Sequence, residues 1–149
     1  MNKLLLPFVA GAALCLAADP FVGVWKPDPA KCKTSPGAPE VRKTTAITCE
    51  AQGKDQYRVI GTTPDGKTQY DGVWILDGEE HGKSANVYTQ IAFERIDDRH
   101  IHGKTVGPKG SVAEDWVVSA DGKTQTWTRK GTGTTTGRPV DDFYFYDKR

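Results

Sequence analysis

Turn signals break this chain into short runs too regularly for anything but β-structure. Gly53-Lys54-Asp55, Pro64-Asp65-Gly66-Lys67, Asp77-Gly78, Asp97-Asp98-Arg99, Gly107-Pro108-Lys109-Gly110 and Ala120-Asp121-Gly122 fall between apolar-rich segments only a strand long,. The runs that qualify as strands are Phe21 to Lys26, Val41 to Gln52, Gln56 to Thr63, Thr68 to Leu76, Ala85 to Ile96, His100 to Val106, Ser111 to Val118, Thr124 to Gly131 and Val140 to Tyr146. No window after the first eighteen residues has helical periodicity, so the chain reads as an all-β antiparallel meander,. In one open sheet these strands would leave long unpaired edges. Closing them into an up-and-down barrel of 8–10 strands removes the edges, which ranks a barrel above an open sheet or a sandwich.

The first residues stand apart. Lys3, the apolar run Leu4 to Leu16 and the small residues Ala17 and Ala18 have the plan of a secretory signal, read here as 1–17 with a single domain over 18–149,. Lipidation at Cys15 is disfavoured by the bulk of Leu14,. The run is too short to span a bilayer, so the expectation is a soluble exported protein, periplasmic or extracellular. The 20 Lys and Arg nearly balance the 19 Asp and Glu, and losing Lys3 with the leader makes the balance complete. That balance excludes the basic surface a nucleic acid or an anionic membrane would require.

Cys32 and Cys49 remain after the leader, and an even pair in an oxidising compartment reads as one disulfide,. Such a bridge would contribute about 3 kcal/mol by restricting the unfolded chain. The segment Pro27 to Glu40 carries Pro27, Pro29, Pro36 and Pro39, which forbids a helix interior or central strand and predicts an ordered loop or a strap,.

The segments DPFVGVWKPDPAKCKTSPGAP (Asp19 to Pro39) and VSADGKTQTWTRKGTGTTTGRPVDDFYFYDK (Val118 to Lys148) resemble small exported bacterial proteins of lipocalin-like, calycin type. The resemblance implies that Trp25 plugs the closed end of the barrel and that Gly23 admits a close neighbour. It also implies that a basic residue from a late strand covers Trp25, with Arg129 and Arg138 as candidates. A lipocalin-like barrel implies a binding protein for a small apolar or amphipathic molecule.

Several residues could carry that function. Trp25, Trp74 and Trp116, with Trp127, Tyr70, Phe93 and Tyr144, either fill the barrel as a solid core or surround a ligand,. Alternation puts Val112, Glu114, Trp116 and Val118 on one face, and Gln125, Trp127 and Arg129 on one face of the next strand,. If both faces point inward, Glu114 and Arg129 pair inside the barrel and orient a polar ligand group. If they point outward, both charges are solvated. His100 and His102 share a side at metal-like spacing, but two ligands make no site and His81 lies far off in sequence, so the expectation is no metal and no cofactor,. No Gly-x-Ser-x-Gly elbow or other catalytic set is present, and a non-enzyme is expected,. Phe143-Tyr144-Phe145-Tyr146 places rings on both faces of the last strand, so its outer pair needs a cover: the strap, or a second subunit in a weak homodimer,. The alternative function follows from that patch, an envelope interaction module without internal ligand.

Overall fold

The computed structural model describes residues 19–36, 38, 40–82 and 88–149; the expected leader lies outside them. Nine strands alternate direction: β1 (Gly23–Pro27), β2 (Ala46–Gly53), β3 (Gln56–Thr62), β4 (Thr68–Ile75), β5 (Gln90–Asp97), β6 (His100–Gly107), β7 (Gly110–Val118), β8 (Thr124–Thr132) and β9 (Pro139–Lys148). They form one antiparallel sheet in the order β4-β3-β2-β1-β9-β8-β7-β6-β5. This is the expected meander, with β1 closing against β9, so that the chain's first and last strands meet. The barrel is nearly closed. Its remaining seam lies between β4 and β5, bridged by Asp77 with Glu94 and His81 with Ile91.

Alternation predicts the faces well. Ile47 and Cys49, Tyr57 and Val59, and Val112, Trp116 and Val118 are all buried in the interior,. The turns behave as their glycines require: Gly66 and Gly122, in the two DGKTQ repeats, take φ of 82° and 69°,.

Two expectations are corrected. The strand expected from Val41 begins only at Ala46, because Glu40–Thr44 form one helical turn, α1, with Arg42 and Lys43 in its last turn where the helix dipole favours cations,. The disulfide is not formed, and both thiols are free. The β1–β2 register sets Gly23 opposite Cys49 and Trp25 opposite Ile47, so Cys49 lies at the start of β1. Cys32 lies beyond its far end, where its Sγ donates to the Asp28 carbonyl at 3.2 Å. The five residues of β1 span about 15 Å at strand rise. That is twice the Cα separation of about 7 Å that a disulfide tolerates.

The strap runs beside β9 and lies over one of its outer rings. Asp28 N–H donates to the Phe145 carbonyl at 2.9 Å, Lys33 and Phe143 exchange backbone bonds at 2.8 and 2.6 Å, and Lys31 Nζ sits 4.4 Å from the Phe145 ring centroid.

The closed end is built on Trp25, which is fully buried. Its Nε1 donates to the Phe21 carbonyl at 2.8 Å. Lys148 lies over its ring at 5.0 Å and donates to the Pro20 carbonyl at 3.0 Å. The basic cover is therefore Lys148 and neither Arg129 nor Arg138. Lys148 also explains Gly23, whose φ is +140° and where a Cβ would meet Lys148 Cε at 2.8 Å.

Candidate functional site

Period-2 alternation on β7, β8 and β9 sends two rows of side chains into the barrel. Register aligns Glu114 with Arg129 and Arg129 with Asp142, and in the next row Trp116 with Trp127 and Trp127 with Tyr144. One row is charged and the other aromatic.

In the charged row Arg129 lies between two carboxyl groups. Its Nε donates to Glu114 Oε1 and its Nη1 to Asp142 Oδ2, both at 3.4 Å. Thr105 Oγ1 adds a bond to Glu114 Oε1 at 2.9 Å, and Trp127 Nε1 one to Glu114 Oε2 at 3.1 Å. Asp142 Oδ1 receives Ser35 N–H and Oγ–H at 2.7 and 2.8 Å, which ties the strap to the row, and Asp142 Oδ2 receives Tyr144 at 3.3 Å. All three charged residues are only 2–3% exposed. Burial disfavours the charge on Arg129, but Glu114, with Tyr88, Tyr144 and Asp142, outweighs it and holds the guanidinium above its ordinary pKa,. Of the two arrangements left open by the sequence, the inward pair of Glu114 and Arg129 is the one adopted. Every carboxylate oxygen in the row has a donor, the condition under which buried charge is tolerated.

In the aromatic row Trp116 stacks on Trp127 at 4.5 Å and Trp127 on Tyr144 at 4.7 Å. Trp116 meets Trp74 edge-on at 5.0 Å, and Trp74 stacks on Phe93 at 4.3 Å across the seam. Phe93 can lie flat there because its β6 partner is Gly103, where a Cβ would sit 2.1 Å from the ring.

Against these rows lies a cavity of ≈ 130 Å³, lined by Trp74, Trp116, Glu114, Phe93, Tyr146 and Thr105, with Arg42 of α1, Gln69, Tyr70, Tyr88 and Trp127 among the rest. Of the residues expected beside a ligand, Trp74, Trp116 and Glu114 line this cavity. Arg129 stands behind Glu114 and holds it. Trp25, expected beside a ligand, lines instead a void of ≈ 10 Å³ at the closed end. Tyr88, Tyr146, Thr105 and Asp142 escaped the sequence reading, although the alternation Asp142, Tyr144, Tyr146 could have found two of them. Two polar atoms on the cavity's residues, Trp116 Nε1 and Tyr146 OH, find no protein partner. Burial raises the pKa of Tyr88 to about 12 and that of Tyr146 well above its ordinary value, so both phenols stay neutral.

The histidines lie elsewhere. His100 Nε2 and His102 Nδ1 both hydrogen-bond Asp115 Oδ1, at 2.8 and 3.0 Å, while His81 pairs with Asp77 at 2.9 Å. Among the described residues no group of three or more His, Cys, Asp or Glu side chains is arranged to hold a metal ion.

The sequence matches no protein-family model and no curated protein. Its structure is similar to two solved structures. A Schistosoma mansoni fatty acid binding protein in complex with arachidonic acid superposes with a TM-score of 0.63 at 17% identity, covering 87% of this chain and 96% of that one. A mutant of the fluorescent protein UnaG superposes with a TM-score of 0.55 at 12% identity, over the same shares of each chain. Both likenesses are of fold, and the fold is that of the calycin-type β-barrels.

Proposed function

We propose that this protein binds a small apolar or amphipathic molecule reversibly inside its barrel, as an exported monomer or weak homodimer that catalyses no reaction. The cavity carries the reading. An interior packed elsewhere to a void of ≈ 10 Å³ keeps ≈ 130 Å³ beside a fully hydrogen-bonded charged row and a wall of rings, the composition of a small-molecule site. The similar fatty acid binding protein holds its ligand in the same fold. Export rests on the leader-like first seventeen residues. The alternative of an outer interaction module has less support, since Lys31 of the strap lies over Phe145, one of the two outer rings of β9.

Native mass spectrometry of protein taken from its own host tests the reading without presuming a ligand. A mass above that of the chain from Ala18 onward, removable by organic extraction, is the expected result. A bare mass together with unchanged tryptophan fluorescence across apolar probes would overturn it.

A further inference from the structure

We infer that the ligand is a compact aromatic carboxylate, seated with its rings inward against the tryptophan wall and its anionic group at the α1 end of the cavity, met there by Arg42 and by the Gln69 amide. The inference rests on the binding reading above and narrows it to a ligand class and an orientation.

Size and shape set the body of the ligand. A cavity of ≈ 130 Å³ lies near the roughly 150 Å³ of an engineered apolar cavity that takes benzene, and well below the roughly 300 Å³ at which drug-sized sites begin. One or two rings fit within it; an extended acyl chain does not. Trp74, Phe93, Trp116 and Trp127 all line it, and their rings stack or meet edge-on at 4.3 to 5.0 Å. Such a wall favours a flat partner through offset-stacked or edge contacts.

Charge sets the orientation. Arg42 and Glu114 are the two charged residues among those lining the cavity. Glu114 is sealed at 2% exposure, with Arg129, Thr105 and Trp127 all donating to its oxygens. Behind it one guanidinium is shared by two carboxyl groups, so a further anion at that depth meets more negative than positive charge. Arg42 differs in both respects. It is only half-buried, and among the described residues no carboxylate forms an ion pair with it.

Local structure brings a second donor to the same end. Thr45 directly follows α1, and its Oγ1 donates to Gln69 Oε1 at 2.8 Å. That bond occupies the acceptor of the Gln69 side chain and leaves its Nε2 hydrogens to donate, on an exposed residue that also lines the cavity,. Lys43, the other cation in the last turn of α1, is not among the lining residues. The charge of Arg42 also reaches inward. Burial dominates the raised pKa of Tyr88 and Tyr144, and Arg42 opposes the rise at both,. A guanidinium and an amide N–H, both on the cavity and neither sealed in its wall, are a donor set for a carboxylate.

Titration of the protein with 2-naphthoate and with its neutral methyl ester, read by tryptophan fluorescence, tests the inference. In the parent the carboxylate should bind about tenfold more tightly than the ester, and that preference should shrink as salt is raised toward about 1 M. Arg42→Gln should remove most of the preference, Arg42→Lys should keep part of it, and Gln69→Ala should reduce it about threefold, with circular dichroism melts showing that each variant folds. An ester that binds the parent as tightly as the carboxylate would overturn the inference and leave the binding reading intact, and so would a preference that survives Arg42→Gln unchanged. Palmitate binding as tightly as 2-naphthoate would overturn the compact body. Failure of both naphthalene probes would overturn the inference, and the binding reading falls with it only if protein from its own host also carries no passenger.

Discussion

The two ends of the barrel solve the same packing problem differently. At the closed end Trp25 pairs with the Phe21 carbonyl, Tyr57 with Asp19, Arg95 with both Tyr57 and Asp55, and Lys148 with the Pro20 carbonyl. At the cavity end, rings of comparable bulk leave ≈ 130 Å³ unfilled. Aromatic content does not separate the ends. The chain's own first residues do, because the segment Asp19 to Val22 folds under the barrel and supplies carbonyls and a carboxylate to the side chains there. One end is finished by its own chain, and the other is left for something else to complete.

The largest expected effect tests the closed end. Trp25→Ala should lower the unfolding free energy in urea by about 3–5 kcal/mol, since a fully buried indole leaves a cavity the floor cannot collapse into,. The comparison breaks if that loss is no greater than the effect of Tyr146→Phe at the other end.

Gly103→Ala comes next and reports on the cavity wall. A methyl 2.1 Å from the Phe93 ring must displace it from Trp74, at a cost of about 1–3 kcal/mol as in other overpacked sites. Weaker binding of every planar probe should accompany the loss. If Gly103→Ala melts like the parent, the wall is softer than the stacking implies.

Much of this was legible from residue order alone. Period-2 alternation put Glu114 with Trp116 on one face of β7 and Trp127 with Arg129 on one face of β8, because a strand has only two faces, and left open which way those faces point,. What escaped reading depends on contacts distant in sequence. Lys148 covers Trp25 only because β1 pairs with β9, a closure whose register no local pattern specifies. Gly103 looked like any strand glycine until β5 set Phe93 opposite it. Asp142 is one of two consecutive aspartates, so its type said nothing, and only alternation with Tyr144 marks it as the inward one. The single turn of α1 is too short to show periodicity. The disulfide failed because a cysteine count carries no geometry.

Cys49 gives a smaller effect with a defined pH window. Burial, followed by the nearby Asp19, pushes its thiol from about 9 up to about 12, so the folded protein keeps a proton that the unfolded chain releases,. Stability from this group is complete below pH 9 and declines as pH rises from there toward 12. The sign follows from linkage, since the unfolded state binds fewer protons in that interval. By pH 10 the parent should lose about 1 kcal/mol more than Cys49→Ala does over the same range. Equal alkaline slopes would show that the thiol is not sealed in the floor. The mass of protein purified without reductant should also equal that of the fully reduced chain.

The smallest expected effect sharpens the account of the floor most. Lys148 over the Trp25 ring contributes about 0.5–1 kcal/mol as a partly exposed cation on an indole,, and Lys148→Ala should cost roughly that amount. Gly23→Ala should cost more, because it strains a residue at φ +140° and drives a methyl to 2.8 Å from Lys148 Cε,. These two costs are not independent. In the Lys148→Ala background the steric part disappears and the backbone part remains, so Gly23→Ala should become cheaper by about 0.5 kcal/mol or more without becoming free. Urea titrations of the four proteins in this cycle measure the coupling. Strict additivity would mean that Gly23 is required for its backbone alone, and that Lys148 merely lies nearby and does not close the barrel over Trp25.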